Sequence, residues 1–225
     1  MKKIIITGSE GLIGKKLKEY FTDKYKVISL DISLGHDLTD EKFVKDFFEK
    51  NTDIYGVIIL HAYNPLPLED TIKIEPTDFK LSEIRDYLNV NVISAYDVCR
   101  HFIKNNKEGR IINVSSLYGE VSPKHHIYDN FTKHIGYSLS KSSVIMLTKY
   151  LATYYTDYNI NTVILGGIYQ KELDKKFIEK YNSNVPKNRM MNVEEMTTGF
   201  DFLLDEKSTY ITGTEIKIDG GWTSW

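Results

Sequence analysis

The 225-residue sequence predicts an α/β fold in which a doubly wound parallel sheet lies between two layers of helices. From the first residue onward, short apolar runs alternate with longer segments whose apolar residues recur every three to four positions. Such alternation is typical of parallel strands joined by right-handed helical crossovers. No internal repeat or Pro/Ser-rich linker divides the chain, and its length suits one large domain better than two small ones. We therefore predict a single three-layer αβα domain over residues 1–225.

Six short apolar runs bounded by turn residues are predicted strands: 3–7, 26–30, 56–60, 110–114, 161–165 and 215–218. Five longer segments with a helical apolar period are predicted helices: 12–21, 41–49, 82–103, 136–155 and 193–204. Two long irregular segments remain, 61–79 with Pro65, Pro67 and Pro76, and 117–135 with Pro123. Each follows a predicted strand, and ligands of open parallel sheets bind beyond the carboxyl ends of the strands. We expect both segments to border the functional site.

The composition argues against several classes of function. The formal net charge is −2, so we expect neither a nucleic-acid partner nor a membrane partner. The apolar run near the N-terminus is too short for a secretory signal, and no stretch approaches the roughly 20 apolar residues that cross a bilayer. The single cysteine, Cys99, is compatible with a reducing compartment. The sequence therefore predicts a soluble, cytoplasmic protein.

The first predicted strand ends in a glycine-rich loop that leads directly into a helix. Gly8 permits a tight turn, Gly11 lets the backbone approach a pyrophosphate, and Gly14 lets the helix pack close to the strand. The free N–H groups at the start of that helix would face the anion. A plain tight turn is an open alternative, because three nearby glycines also occur by chance. The predicted dinucleotide-binding residues of this loop are Gly8, Ser9, Gly11, Leu12, Ile13 and Gly14.

Asp31 ends the second predicted strand, roughly 20 residues beyond the glycines. A carboxylate at this place accepts hydrogen bonds from the adenosine ribose hydroxyls and repels a 2′-phosphate. No arginine that could bind such a phosphate stands near it in the sequence. The pattern favours NAD(H) as the cofactor over NADP(H). The alternative is that Asp31 merely begins a turn.

Tyr137 and Lys141 stand four residues apart at the start of the predicted helix 136–155, so their side chains share a helix face. A nearby ammonium favours the phenolate, which would let Tyr137 act as an acid or base nearer neutral pH. The pair alone could equally be an exposed helix pair. Its position after a glycine loop and a strand that ends in Ser116 favours catalysis. Asn91, on an apolar helical face, needs buried partners and could hold a water in a proton relay.

In chain order, these features resemble the short-chain dehydrogenase/reductases over essentially the whole chain. The resemblance implies a Rossmann-type fold, an NAD(P)-dependent oxidoreductase acting on CH–OH groups, and a homodimer or homotetramer. The matching motifs and residues are the glycine loop 7–14, Asp31, Asp37-Leu38-Thr39, Asn91, Ser116, Tyr137 with Lys141, Tyr210-Ile211-Thr212-Gly213 and Asp219-Gly220-Gly221.

The resemblance also implies a role for each matching residue. Tyr137 would be the general acid/base, and Lys141 would bind the nicotinamide ribose and lower the pKa of Tyr137. Ser116 would hydrogen-bond the substrate oxygen, and Asn91 would support a water that links Lys141 to solvent. The remaining implied cofactor contacts are Asp37 and Leu38 at the adenine, Ala62 at the adenosine and the Ile168 backbone at the nicotinamide amide.

The sequence departs from the family pattern at three places on the cofactor side. The glycine spacing is more usual in the extended members of the family. His61 and Tyr63 flank Ala62 where the family has asparagine and glycine. Gly166-Gly167 stands in place of Pro-Gly, and we expect the loss of the proline to loosen that turn.

Segment 117–135 is expected to shape the substrate pocket. We interpret Tyr118 and Tyr128 as walls of that pocket and as substrate-binding residues. His125, His126 and nearby His134 invite a metal-site reading, but without carboxylate or cysteine partners the sequence favours no metal site. The histidines could instead contact an anionic substrate.

A narrower resemblance concerns dehydrogenases encoded with bacterial surface-sugar pathways, such as flagellin modification and legionaminic-acid biosynthesis. It is carried by Ser115-Ser116-Leu117-Tyr118-Gly119, by Pro123, by the loop of Ala62, Tyr63 and Pro65, and by the ending Asp219-Gly220-Gly221-Trp222. It implies a sugar or sugar-phosphate substrate. Trp222 and Trp225 are expected either at a subunit interface or against the chain's own core.

The leading hypothesis is an NAD(H)-dependent enzyme that interconverts an alcohol and a carbonyl on a sugar or other small polar substrate. One alternative, favoured by the glycine spacing, is a nucleotide-sugar epimerase or dehydratase that uses bound NAD. Another is a non-catalytic dinucleotide-binding protein, motivated by the altered positions 60–63 and 166–167. The intact Ser116, Tyr137 and Lys141 argue against that last alternative.

Overall fold

The computed structural model describes residues 1–65 and 73–225, and its central feature is one parallel sheet. The strand order is β2-β1-β3-β4-β5-β6, and every neighbouring pair is parallel. The chain first winds outward from β1 to β2 and then crosses back to β3, so the order reverses beside β1. This topology confirms the predicted doubly wound Rossmann-type sheet. The strands are β1 (Lys3–Thr7), β2 (Lys26–Leu30), β3 (Ile54–Ile59), β4 (Gly109–Ser116), β5 (Tyr158–Leu165) and β6 (Glu215–Ile218).

Helices cover both faces of the sheet, as predicted. On one face, α2, α4 and α5 pack through a core that includes Phe48, Phe102 and Leu151. On the other face, α1 and α7 pack through a core that includes Phe21 and Phe200. The helices of the described residues are α1 (Leu12–Phe21), α2 (Glu41–Lys50), α3 (Leu81–Leu88), α4 (Ser94–Asn105), α5 (Ile135–Tyr154), α6 (Lys175–Asn182) and α7 (Thr197–Leu204).

The helix predicted at 82–103 is interrupted. Its place is taken by α3, a π-helical turn over Asn89–Ile93, and α4. A π-helical turn adds one residue to a helix and is frequent at functional sites. Asn91 lies within this turn and is buried there. The apolar period of the sequence is continuous through the turn, which explains why the prediction joined the two helices.

Helix α6 is absent from the prediction. It begins after Asp174, whose carboxylate caps the helix by accepting a hydrogen bond from Phe177 N at 2.8 Å. The helix is eight residues long, and its apolar face packs into a cluster that contains Tyr181 and Trp222. The capping aspartate and the spacing of Phe177 and Tyr181 were the available signals, and they are weak in so short a segment.

A buried polar cluster fixes α5 against the sheet. The Thr148 hydroxyl accepts hydrogen bonds from Asn113 Nδ2 on β4 at 2.9 Å and from Thr162 Oγ1 on β5 at 2.8 Å. It donates in turn to Val144 O within its own helix at 3.0 Å. Because this cluster sets the height of α5 on β4 and β5, it also sets the position of the first turn of α5, which carries Tyr137.

The irregular segment predicted at 61–79 is only partly within the described residues, and Pro67 lies outside them. No helix of the described residues has both the length and the apolar character needed to cross a membrane.

Candidate active site

A cavity of about 410 Å³ opens at the carboxyl ends of β1, β4 and β5, beside the point where the strand order reverses. This is where open parallel sheets bind their ligands. It joins the glycine loop, the Ser116–Tyr137–Lys141 group and the turn after β5. The predicted site residues that line it are Gly8, Gly11, Leu12, Ile13, Gly14, Ala62, Ser116, Tyr118, Tyr128, Tyr137, Lys141 and Ile168.

The geometry of the glycine loop fits the pyrophosphate of a dinucleotide. Gly8 has φ +64°, and a Cβ there would lie 2.8 Å from His61 N. A Cβ on Gly14 would lie 2.2 Å from Gly8 O, so only glycine allows the helix to start this close to the strand. Gly11 is the N-cap of α1 and supplies no side-chain acceptor, which leaves the first N–H groups of the helix directed to the cavity for an anion.

Four predicted cofactor residues do not line this cavity. Ser9 is fully buried, and its hydroxyl donates to the Glu10 carboxylate at 3.1 Å, so its side chain is turned away from the cavity. Leu38 is buried in the core beside β2 and α2, and Asp37 is exposed, with its carboxylate accepting from Thr39 N at 2.9 Å. These positions lie on the β2 side of the glycine loop, where an adenosine would extend beyond the cavity itself.

Asp31 is the fourth, and it is anchored at the end of β2. Its carboxylate accepts hydrogen bonds from Glu10 N at 2.9 Å, and from Ser33 N and Ser33 Oγ at 2.9 and 2.7 Å. Burial raises the pKa of Asp31, but these hydrogen bonds outweigh it, so the pKa is lowered overall. The alternative interpretation was that Asp31 merely begins a turn. Such a turn is present, because Asp31 caps the 3-10 turn Ile32–Leu34. The cap and a ribose contact are compatible, because a carboxylate has further lone pairs to offer.

Ser116, Tyr137 and Lys141 converge on the cavity from β4 and α5. Lys141 Nζ donates to Val114 O at 2.9 Å and lies 5.9 Å from the centre of the Tyr137 ring. Ser116 Oγ accepts from Tyr118 N at 3.2 Å, which fixes the hydroxyl at the end of β4. All three side chains are nearly buried, at 5 to 8 % exposure. Charged and polar groups in such a dry site interact strongly with whatever enters it.

The pKa of Tyr137 is raised, which corrects the expectation that Lys141 lowers it. Burial is the larger effect, and a hydrogen bond with Ser116 offsets part of it. Burial also lowers the pKa of Lys141, to about 8. In the chain itself, therefore, the phenol is protonated at neutral pH and the ammonium is largely charged.

The Asn91 side chain forms hydrogen bonds with two other elements of the chain, and its role in a water relay stays a prediction. Its Oδ1 accepts from Tyr63 N at 2.6 Å, and its Nδ2 donates to Tyr63 O at 3.1 Å and to Ser140 Oγ at 2.9 Å. Both N–H groups of the amide are thus used within the chain. The amide holds the loop after β3 against α5, and Asn91 does not line the cavity.

The turn after β5 is shaped by hydrogen bonds instead of a proline. Gly166 N donates to Ile218 O at 2.9 Å, a bond that a proline at this position could not make. Gly167 N donates to Tyr181 Oη at 2.6 Å, and a Cβ on Gly167 would lie 2.7 Å from that ring. These two hydrogen bonds anchor the turn to β6 and to α6, and the expected loosening stays a prediction. Gly167 and Tyr169 make the backbone bridge to Met191, which leaves the Ile168 N–H and C=O outside that bridge and beside the cavity.

His61, a departure from the family pattern, joins β1 to α4. Its Nδ1 lies 2.7 Å from Thr7 Oγ1 and its Nε2 lies 2.7 Å from Ser94 Oγ. Burial, and then the charge of Lys141, lower the pKa of His61 to about 4, so the ring is neutral. A neutral imidazole has one donor and one acceptor nitrogen, which lets it bridge two hydroxyls. The substitution preserves the connection behind the glycine loop.

Tyr118 and Tyr128 line the cavity as predicted, with their hydroxyl oxygens 2.8 Å apart. Five polar residues of the lining are not among the predicted site residues: Asn64, Ser115, Lys133, Gln170 and Tyr181. Lys133 lies in the segment expected to border the site, four residues before Tyr137. An isolated lysine in a loop forms no pattern from which a site role could be predicted.

The remaining predicted features lie at or beyond the cavity margin. His134 caps α5, accepting from Gly136 N at 3.0 Å, and its ring stacks on Tyr87. Within residues 1–65 and 73–225, no three histidine, cysteine, aspartate or glutamate side chains are grouped as metal ligands would be.

Trp222 is buried against Tyr181 of its own chain, with ring centres 4.5 Å apart, whereas Trp225 is 73 % exposed.

Known proteins resemble the chain over nearly its whole length. A family described as enoyl-(acyl carrier protein) reductase matches residues 12–223. The post-translational flagellin modification protein A of Campylobacter coli is 27 % identical over 251 aligned positions, which cover 98 % of each chain. The glucose 1-dehydrogenase 2 of Bacillus subtilis is 25 % identical over 254 positions, covering 99 % of this chain and 95 % of that protein.

Solved structures give the same result for the fold. The crystal structure of a short chain dehydrogenase from Leptospira borgpetersenii with bound NAD⁺ superposes with a TM-score of 0.84 at 27 % identity. The superposition covers 99 % of this chain and 92 % of that one.

Proposed function

The chain belongs to the short-chain dehydrogenase/reductase family, and on that premise we propose that it interconverts an alcohol and a carbonyl on a sugar or other small polar substrate, with NAD(H) preferred. Membership makes it an NAD(P)-dependent dehydrogenase/reductase acting on CH–OH groups. The proposal adds the cofactor preference, the catalytic residues and the substrate class. The main observation behind the proposal is that Ser116, Tyr137, Lys141 and the glycine loop all line one cavity.

Tyr137 is the proposed proton-transfer residue. Its raised pKa keeps the phenol protonated at neutral pH, as donation to the oxygen of a carbonyl substrate requires. The Ser116 hydroxyl lies against the phenol and would hydrogen-bond the same substrate oxygen. Donation leaves Tyr137 as a phenolate, which the nearby Lys141 ammonium stabilises; in the oxidative direction this phenolate accepts the proton of the alcohol and becomes the phenol again. A bound nicotinamide would supply hydride transfer, so the chain's own residues need only position the substrate and move the proton.

Asn91 is proposed as a positioning residue. Its amide fixes the backbone of Tyr63, which directly follows the cavity residue Ala62, and ties it to Ser140 in the helix of Tyr137. Displacement of either element would move the glycine-loop side of the site relative to the proton donor.

The preference for NAD(H) over NADP(H) rests on Asp31. Its lowered pKa keeps the carboxylate charged, and a 2′-phosphate placed against it would be repelled. Lys18, the cation that lowers the pKa of Asp31, forms an ion pair with Glu10. It is therefore already neutralised and poorly placed to attract a phosphate.

The sugar proposal rests on relatives and on the polar character of the cavity wall. The Campylobacter coli relative is a flagellin modification protein, and the Bacillus subtilis relative is a glucose dehydrogenase. The tyrosine hydroxyls of Tyr118 and Tyr128, together with Gln170, offer the hydrogen-bonding groups that a polyol needs.

We further propose that residues 1–225 act as one domain in a cytoplasmic homo-oligomer. Helices α4 and α5 present large apolar side chains to solvent on the same face of the sheet: Ile93 next to α4, Tyr96, Leu139, Met146, Tyr150 and Tyr154, each 44 to 71 % exposed. A contiguous apolar surface of this kind is typical of an interface between copies. The free, buried Cys99 is compatible with a reducing compartment.

Replacing Tyr137 by phenylalanine tests the proposed function. We expect turnover with a sugar and sugar-phosphate panel to fall at least a hundredfold, because a general acid contributes about 10²–10⁴. NADH should still bind, as measured by its fluorescence, and NADPH should bind more weakly than NADH. The matched control is Tyr87→Phe, a buried neighbour whose ring lies edge-on to Tyr137, and it should retain activity. Near-normal turnover in Tyr137→Phe would refute the mechanism.

A further inference from the structure

Lys133 is a buried lysine in the wall of the catalytic cavity, and the proposed mechanism gives it no role. It lies between Tyr128 and α5, and it is only 8 % exposed. Its Nζ lies 4.1 Å from the centre of the Tyr137 ring and donates to Asn64 Oδ1, and both of these residues also line the cavity. The ammonium therefore lies in the cavity wall, over the ring of the proposed proton donor.

No carboxylate balances this charge within residues 1–65 and 73–225. The cavity lining contains two lysines, Lys133 and Lys141, and neither an aspartate nor a glutamate. None of the ion pairs of the described residues includes Lys133, and the nearest charge, on Lys141, repels it. A charge held out of water without a partner destabilises the fold, and an apolar side chain of similar size would avoid that cost.

The titratable groups that share a cavity with Lys133 are four tyrosines and Lys141 in the catalytic cavity, and Glu120 and His125 in an adjoining cavity. Glu120 is the one carboxylate among them, and it is already paired with Lys217, whose Nζ lies 2.8 Å from its Oε1. Burial, and then Lys141, lower the pKa of Lys133 to about 7. A bound anion would place an opposite charge beside the ammonium. That charge would favour the protonated form of Lys133 and raise its pKa.

We propose that Lys133 forms an anion subsite in the catalytic cavity, and that the substrate carries a carboxylate or phosphate group that pairs with its ammonium. The assignment of the anion to the substrate rests on the proposed function, whereas the subsite itself does not. Asn64 and the Tyr118–Tyr128 hydroxyl pair supply neutral hydrogen-bonding groups in the same cavity. The substrate would therefore be an acidic or phosphorylated compound with a hydroxyl or carbonyl presented to Ser116 and Tyr137.

The test measures the protonation of Lys133 directly, with acetate and inorganic phosphate as probes. NMR of the lysine Cε and Nζ signals, assigned with Lys133→Met, gives the pKa of Lys133 in the NADH complex. We expect acetate, phosphate or both to raise that pKa by at least one unit; the probe that does so identifies the chemistry as carboxylate or phosphate. If neither probe moves it, there is no anion subsite at Lys133.

Two variants separate a binding role from a structural one. Lys133→Met should fold at least as stably as the wild type, bind NADH equally, and lose the response to both probes. Lys124→Met is the matched control, because Lys124 lies nearby against Trp222 without lining the catalytic cavity, and it should keep the response. Marked destabilisation of Lys133→Met would show that the lysine serves the fold, and the proposal would be wrong.

An internal counter-ion is the competing explanation, because Glu69 and Asp70 lie outside the described residues. With both replaced by their amides, we expect the pKa of Lys133 to stay unchanged without probe. A fall in that pKa would identify one of these carboxylates as the partner and overturn the proposal. Failure of the proposed function would look different: Tyr137→Phe would remain active, or NADH would not bind, whatever the probes do.

Discussion

At the residue scale, burial and charge act on the two ionisable groups of the site in a way that predicts a pH dependence. Burial raises the pKa of Tyr137 and lowers that of Lys141 to about 8. As pH rises from neutral, Lys141 therefore loses its proton first, while Tyr137 remains protonated. In the proposed mechanism, carbonyl reduction needs the proton on Tyr137 and is helped by the charge on Lys141.

We therefore expect kcat for reduction to be constant near pH 6–7 and to fall above about pH 8 as Lys141 becomes neutral. The measurement is a pH–rate profile of kcat at saturating substrate, repeated with Lys133→Met so that titration of Lys133 cannot account for the decline. Lys141→Arg is the control, since its charge persists at high pH and any residual activity should not show this decline. A profile that stays flat beyond pH 9 would contradict the assignment of Lys141.

His61 and Gly166 depart from the family pattern, and each forms hydrogen bonds with distant parts of the chain. His61 bridges two hydroxyls through its ring nitrogens, so the loop after β3 remains tied to β1 and α4. Gly166 stands where the family has a proline, and its N–H donates a hydrogen bond to Ile218 O. Neither set of hydrogen bonds can be read from the sequence, because each depends on a partner more than 30 residues away.

At the scale of elements, α5 carries the proposed catalytic pair, Tyr137 and Lys141, and the Thr148 cluster fixes the position of this helix. Replacing Thr148 by valine keeps the shape but removes a hydroxyl that accepts two buried hydrogen bonds. We expect a loss of about 1–3 kcal/mol in the free energy of unfolding, because Asn113 and Thr162 would be left without their partner. Denaturant unfolding followed by circular dichroism measures the loss.

The matched control for this prediction is Thr153→Val in the same helix. Its hydroxyl is exposed and bonds only within the helix, to Tyr150 O at 3.0 Å. We expect it to change stability by less than about 0.5 kcal/mol. Equal effects of the two variants would mean that the buried cluster does not anchor α5.

Strand and helix positions were predictable for the long, strongly patterned elements. All six strands and helices α1, α2, α5 and α7 lie close to their predicted ranges, because each has its own apolar period. The π-helical turn at Asn89–Ile93 and the short helix α6 were not predicted. Both are stabilised by tertiary contacts, Asn91 with Tyr63 and Ser140, and Tyr181 with Trp222, that no local pattern encodes.

At the scale of the whole molecule, the exposed apolar faces of α4 and α5 predict an assembly of copies. We expect the double substitution Met146→Glu and Tyr150→Glu to reduce the oligomer to a smaller species, because both side chains are more than 60 % exposed in the single chain. Light scattering coupled to size exclusion gives the mass of each form.

A second exposed residue distinguishes a dimer from a tetramer. Tyr210 is fully exposed in the turn before β6, outside α4 and α5 in the chain. If Tyr210→Glu halves a tetramer while the α5 variant also reduces it, two different interfaces are present. If the wild-type chain is a monomer at micromolar concentration, the proposed oligomer does not exist.

The sequence by itself determined the fold class, the glycine loop, Asp31 and the group of Ser116, Tyr137 and Lys141. These features depend on local period and on the order of motifs along the chain, which the sequence states directly. The tertiary structure decided that Asn91 supports the loop of Tyr63, that burial raises the pKa of Tyr137, and that an uncompensated Lys133 lies against the Tyr137 ring. Burial and charge pairing are properties of the folded neighbourhood, and residues distant in sequence create that neighbourhood.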